Sequence, residues 1–153
     1  MIRVLFVCLG NICRSPMAEA VFTHLVREAG LEHQIEVDSA ATSNYEIGEP
    51  AHRGTIEVLK KHNIHYEGRA RQITRADLQK YDYIIAMDDD NVADIKAFGP
   101  SRGRVARLLD FAPEVAVREI PDPYYTGQFG HVYDLVEAGA RGLLAQLRKD
   151  HGL

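Results

Sequence analysis

The chain of 153 residues has no tryptophan and only two cysteines. Two cysteines cannot staple a secreted disulfide framework. No run of Lys and Arg appears and the formal net charge is −4, so nothing marks a nucleic-acid or anionic-membrane partner. The mostly apolar stretch at residues 2–7 is far too short for a signal peptide or a membrane-spanning helix. The seven histidines do not cluster with each other or with the cysteines at metal-ligand spacing, which argues against a metal site. There is no internal repeat, low-complexity stretch or linker. These absences leave one domain, residues 1–153, expected in the cytoplasm.

What remains is a chain 46% apolar and 26% charged, with a clear alternation of patterns. Residues 2–7, 34–39, 82–87 and 104–109 read as strands, the first and third as near-continuous apolar runs of the kind buried on both faces of a parallel sheet. Between them lie helical patterns. One opens at Ser15-Pro16, with Ser15 as N-cap, and stops at Gly30. Others are expected at about 52–62, around Leu78 behind a Thr74 cap, from Asp88 to Phe98, and over 128–149. Strands alternating with helices predict an α/β fold: a four-stranded parallel sheet flanked by helices on both faces, a flavodoxin- or Rossmann-like three-layer sandwich.

In such sheets ligands bind beyond the carboxyl ends of the strands. The segment VCLGNICRSP, residues 7–16, lies at such an end and holds both cysteines. A tight strand-to-helix loop through Leu9, Gly10, Asn11, Ile12 and Cys13 converges backbone N–H groups on one point, an anion site. Gly10 and Asn11 tolerate the backbone angles such a loop needs. Arg14 adds a planar fork matched to two phosphate oxygens. Cys8 in that positive field is expected to carry a lowered pKa, with Ser15 within reach to donate to it. The parts describe a nucleophile aimed at a bound phosphoryl group. Set against this, a lone cysteine closing a buried strand is usually a small hydrophobe. Expelling an alcohol or phenol needs a proton donor, and Asp122 in the Pro-rich DPYY loop is the candidate, with Tyr124 and Tyr125 as pocket walls. The bland alternative is an Asp that bonds only its own turn.

VCLGNICRSPMAEAVF with a distal DPYY, together with DSAATS at 38–43, ARQIT at 70–74 and DYIIAMDDDN at 82–91, resembles the low-molecular-weight protein tyrosine phosphatases over nearly the whole chain. The resemblance implies Cys8 as nucleophile, Arg14 as phosphate clamp, and Asp122 as general acid and then base. It implies that Asn11 and Ser15 shape the loop and stabilise the thiolate, that Ser39 hydrogen-bonds Asn11, and that Tyr45 and Tyr124 wall the pocket. Cys13 matches a second loop cysteine able to form a reversible disulfide with the nucleophile. No metal or cofactor is implied. The expected partners are phosphotyrosine proteins, with inorganic phosphate as product and competitive inhibitor, acting on a monomer. One position departs: many members carry a histidine that supports the loop asparagine where this chain has Gly68, and His65 is the nearest substitute. Two related activities fit less well. Arsenate reductases relay electrons through further cysteines, and none follows Cys13 here. Protein-arginine phosphatases carry Thr where Ile12 stands. A binding module without catalysis would not need Cys8 and Asp122 together.

Overall fold

The computed structural model describes residues 1–153. Strand β1 (Ile2–Cys8) sets the layers. Its alternating side chains go to two separate cores, Val4, Phe6 and Cys8 to one and Leu5 and Val7 to the other, as the period of two requires. The first core is closed by α1 (Arg14–Glu28), α2 (Arg53–Lys61) and α6 (Phe129–His151) through Phe22, Leu59 and Val136. The second is closed by α3 (Arg75–Lys80) and α4 (Asp89–Phe98) through Leu78 and Ile95. The result is the expected three-layer sandwich.

The remaining strands are β2 (Ile35–Ala41), β3 (Tyr83–Ala86) and β4 (Arg104–Arg107), all parallel, in the order β2-β1-β3-β4. From β1 the chain steps outward to β2, then crosses back over β1 to reach β3. The winding direction therefore reverses between β1 and β3, and a crevice opens at their carboxyl ends. Cys8 closes β1 there, and Asp88 stands just beyond β3.

Four local expectations are corrected. Helix α1 begins at Arg14 with Cys13 as its cap, and Ser15 lies fully buried inside the first turn instead of capping it. Pro16 is still tolerated, because first-turn N–H groups have no intrahelical partner. Strand β2 continues to Ala41, two residues beyond the expected 39, because Ala40 and Ala41 stay buried and paired with β1. Strand β4 stops at Arg107, and Leu108–Phe111 form a 3₁₀ turn. Leu108 and Leu109 are both buried in the same core, which consecutive residues of a strand cannot achieve. The Pro-rich loop contains a single helical turn, α5 (Pro123–Thr126), capped by the Asp122 side chain and ended by Gly127 at φ 73°.

Candidate active site

The loop from Cys8 to Arg14 is shaped by what holds its carbonyls. Those of Cys8 and Leu9 accept from the N–H groups of Thr42 and Ser43, those of Ile12 and Cys13 from His52 N–H and the Thr55 hydroxyl. Every peptide in the chain is trans. Each N–H that follows one of these carbonyls therefore points the opposite way, toward the mouth of the loop. Asn11 turns the chain at φ 57°, left-handed backbone that asparagine tolerates. Its N–H donates to Cys8 Sγ at 3.3 Å.

The side chain of Asn11 fixes the direction of the protons around Cys8. Arg71 N–H, which can only donate, meets Asn11 Oδ1 at 3.1 Å, so Nδ2 faces the two hydroxyls. It donates to Ser15 Oγ at 2.7 Å and to Ser39 Oγ at 2.9 Å. Each hydroxyl, already accepting, is left to direct its own proton elsewhere. Ser39 donates to Glu19 Oε1 at 2.6 Å. Ser15 Oγ lies 3.0 Å from Cys8 Sγ. Glu19 accepts a second proton from the Tyr66 phenol at 2.9 Å. Burial pushes the Glu19 pKa up, against the lowering effect of those two donors.

Arg14 is buried at 3% exposure and serves three acceptors. Nη1 donates to Asp88 Oδ2 at 2.6 Å and to the Ile120 carbonyl at 3.0 Å, and Nη2 stands 3.5 Å from Asp122 Oδ2. Burial alone would lower its pKa, but Cys8, Asp88 and Asp122 outweigh that and raise it. Asp88 has a second task, because its other oxygen caps α4 by accepting from Asn91 N–H at 2.8 Å. Cys13 is buried, and burial with the negative charge of Cys8 and Asp122 pushes its thiol up to about 12.

A cavity of about 220 Å³ opens above the loop. Cys8, Leu9, Gly10, Ile12, Cys13 and Arg14 form its floor, and Asp122, Tyr45, Tyr124 and Tyr125 its walls. Asn11, Ser15 and Ser39 are buried behind the floor. The structure thus brings together every residue singled out in the sequence except His65, which is exposed and pairs with Glu67 at 3.1 Å, away from Asn11. Five residues were not anticipated as part of the site: Glu46 on the cavity wall, Asp88 on Arg14, Arg71 on Asn11, and Glu19 and Tyr66 behind Ser39. Two carried a signal. Asp88 follows the carboxyl end of a central parallel strand, and Glu19 stands one helical turn after Ser15 on a face that is otherwise buried.

The arrangement can hold an oxyanion against Cys8 and deliver a proton from the wall opposite. Residues 3–152 match the family described as low molecular weight phosphotyrosine protein phosphatase. The chain is 46% identical to the low molecular weight protein-tyrosine-phosphatase YfkJ of Bacillus subtilis, with both chains covered in full. It is 42% identical to PtpA of Staphylococcus aureus, a protein with the same description, over all of this chain and 98% of that one. The crystal structure of YfkJ superposes with a TM-score of 0.96, covering 99% of this chain and 97% of the other. A protein tyrosine phosphatase of Entamoeba histolytica, crystallised with Hepes in its active site, superposes at 0.93 with 33% identity, covering 98% and 99%.

Proposed function

The chain belongs to the low molecular weight phosphotyrosine protein phosphatases, and from that membership we propose how its own residues divide the reaction. It is a phosphotyrosine-protein phosphatase that works through cysteine. Cys8 is the nucleophile. Its Sγ attacks phosphorus in line, so that the S–P bond forms as the P–O bond to the tyrosine breaks. Asp122 gives its proton to the departing phenolate. It then takes a proton from the water that attacks the cysteinyl-phosphate, the S–P bond breaks, and phosphate leaves.

Arg14 and the inward N–H groups of Leu9, Gly10, Cys13 and Arg14 hold the equatorial oxygens, where charge spreads in the transition state. Asp88 and Ile120 keep the guanidinium aimed, and the longer contact, to Asp122, is the one a phosphate oxygen replaces. Tyr45, Tyr124 and Tyr125 flank the aryl group. After a peroxide has oxidised Cys8 to its sulfenic acid, the neighbouring Cys13 Sγ attacks Cys8 Sγ, so that the S–S bond forms as the S–O bond breaks and water leaves; burial of Cys13 keeps it protonated and unreactive until then. Product phosphate competes for the same cradle. Residues 1–153 act as one domain and one monomer in the cytoplasm, where the reducing poise returns a Cys8–Cys13 disulfide to the free thiols. No helix is long and apolar enough to cross a membrane.

The observation that carries this reading is the pair of groups trained on Cys8 Sγ, Asn11 N–H and Ser15 Oγ, at the base of a cavity whose wall holds Asp122. Cys8→Ser tests it. Hydrolysis of a phosphotyrosine peptide is expected to vanish while inorganic phosphate still binds, because the cradle remains. Activity within about tenfold of the parent would overturn it, since an unactivated hydroxyl is a poor nucleophile.

A further inference from the structure

The chain of hydrogen bonds behind Cys8 ends on a residue that has no counterpart in the reading above. We propose that Tyr66 is a positioning residue for the catalytic loop, and that the missing side chain at Gly68 is what admits it. The proposal rests on Cys8 being the nucleophile.

Glu19 is half-buried and carries the far end of the chain. Its close partners are two hydroxyls on one oxygen, Ser39 at 2.6 Å and Tyr66 at 2.9 Å, with the opposed charges of Asp38 and Arg71 acting from farther off. A carboxylate oxygen anchored by the phenol stays where Ser39 can point its proton at it. Ser39 in turn keeps its lone pair open to Asn11, and Asn11 hands its other hydrogen to Ser15. Loss of the phenol leaves Ser39 as the only hydroxyl on Glu19 and loosens each step toward Cys8.

Gly68 supplies the room. A Cβ built there would lie 2.5 Å from Tyr66 Cζ and closer still to the phenolic oxygen. A side chain at 68 and the Tyr66 ring cannot share that space. The histidine that the resemblance leads one to expect at 68 and the tyrosine present at 66 are therefore two occupants of one place, reached from different residues. His65 does not compete, because it is exposed and held by Glu67. The exchange has a chemical consequence. Burial and the Glu19 charge push the Tyr66 pKa above its ordinary value, so this donor keeps its proton across the range in which an imidazole titrates.

Tyr66→Phe keeps the ring and removes the donor. The readouts are kcat and KM for p-nitrophenyl phosphate, the rate at which iodoacetate alkylates Cys8 from pH 5 to 8, and thermal melting. The expected result is a fall in kcat of about threefold to tenfold with little change in KM, and a matching slowing of alkylation at pH 6, in a protein that melts near the parent temperature. Gly68→Ala is expected to give the same signature by displacing the ring. The exchange Tyr66→Ala with Gly68→His is expected to recover activity over Tyr66→Ala alone; no recovery would overturn the shared-space argument. Tyr66→Phe within about twofold of the parent in both kcat and alkylation would overturn the positioning role. If Cys8→Ser abolishes turnover in the same preparation, that failure leaves the nucleophile standing and removes only Tyr66.

Discussion

Asp122 holds two positions at once. Oδ1 accepts from Tyr124 N–H at 3.1 Å and so caps α5, while Oδ2 faces Arg14 at 3.5 Å. Asp122→Asn separates the two tasks, because an amide oxygen still caps the turn but the side chain no longer delivers a proton. The expected loss in kcat is roughly 10²–10⁴-fold for phosphotyrosine, shrinking as the leaving phenol becomes more acidic. Pre-steady-state phosphorylation of Cys8 across a series of aryl phosphates measures it, and a uniform loss would mean that Asp122 only positions the loop. The catalytic loop itself was legible in the sequence because its parts are contiguous and Cys, Gly-Asn and Arg at that spacing have few other uses together. Asp88 was read as the opening residue of a helix and is its N-cap, but its second oxygen sits on Arg14, 74 positions away. Its place after the carboxyl end of a central strand marks it as near the site, but nothing local names Arg14 as its partner. Tyr66 was hidden for the same reason, with the gap at Gly68 noticed but its filling not foreseen.

Helix α3 has six residues, too few to persist without its ends secured. Thr74 Oγ1 accepts from Asp77 N–H, and the Asp77 carboxylate accepts from Thr74 N–H, a reciprocal cap. The same carboxylate takes Arg71 at 2.8 and 3.3 Å, and the backbone N–H of Arg71 holds Asn11. Burial pushes the Asp77 pKa up, but Arg71 and Thr74 prevail and lower it. The stabilisation is therefore fully present above the ordinary Asp value of about 3.9 and is lost as pH falls through the lower folded value. Asp77→Asn is expected to cost about 1–2 kcal/mol in urea denaturation at pH 7, with the difference from the parent narrowing in strong acid. Elements of this kind were readable in advance, since Thr74 and the periodic Leu78 mark a helix start. The 3₁₀ turn after β4 was not, because RVARLL reads equally well as strand until the packing of both leucines on one side is known. A four-residue helix such as α5 leaves no periodicity to detect.

At the scale of the whole molecule, α6 lies across the core so closely that its backbone meets the 3₁₀ turn. A Cβ at Gly142 would be driven into the Phe111 carbonyl, whereas one at Gly130, in the same helix, meets nothing within 4 Å. Gly142→Ala is expected to destabilise by about 1–3 kcal/mol despite its better helix propensity. Gly130→Ala is expected to stabilise by about 0.5–1 kcal/mol. Chemical denaturation of the two variants checks the contrast, and equal effects would mean that helix propensity, not close approach, governs this face.

The site is assembled from places far apart along the chain: Cys8 and Arg14 near its start, then Ser39, Tyr66, Arg71 and Asp88, with Asp122 near its end. Translation delivers these in order. At about 5–20 residues per second, Cys8, the proposed nucleophile, leads Asp122, its proposed proton donor, by on the order of ten seconds. During that interval the nascent polypeptide carries the Cys8 thiol without the Ile120 and Asp122 contacts that hold Arg14 and without the proposed acid. On the proposed roles, competence arrives only with the closing segments, and a chain stalled before Asp122 is expected to be a silent one.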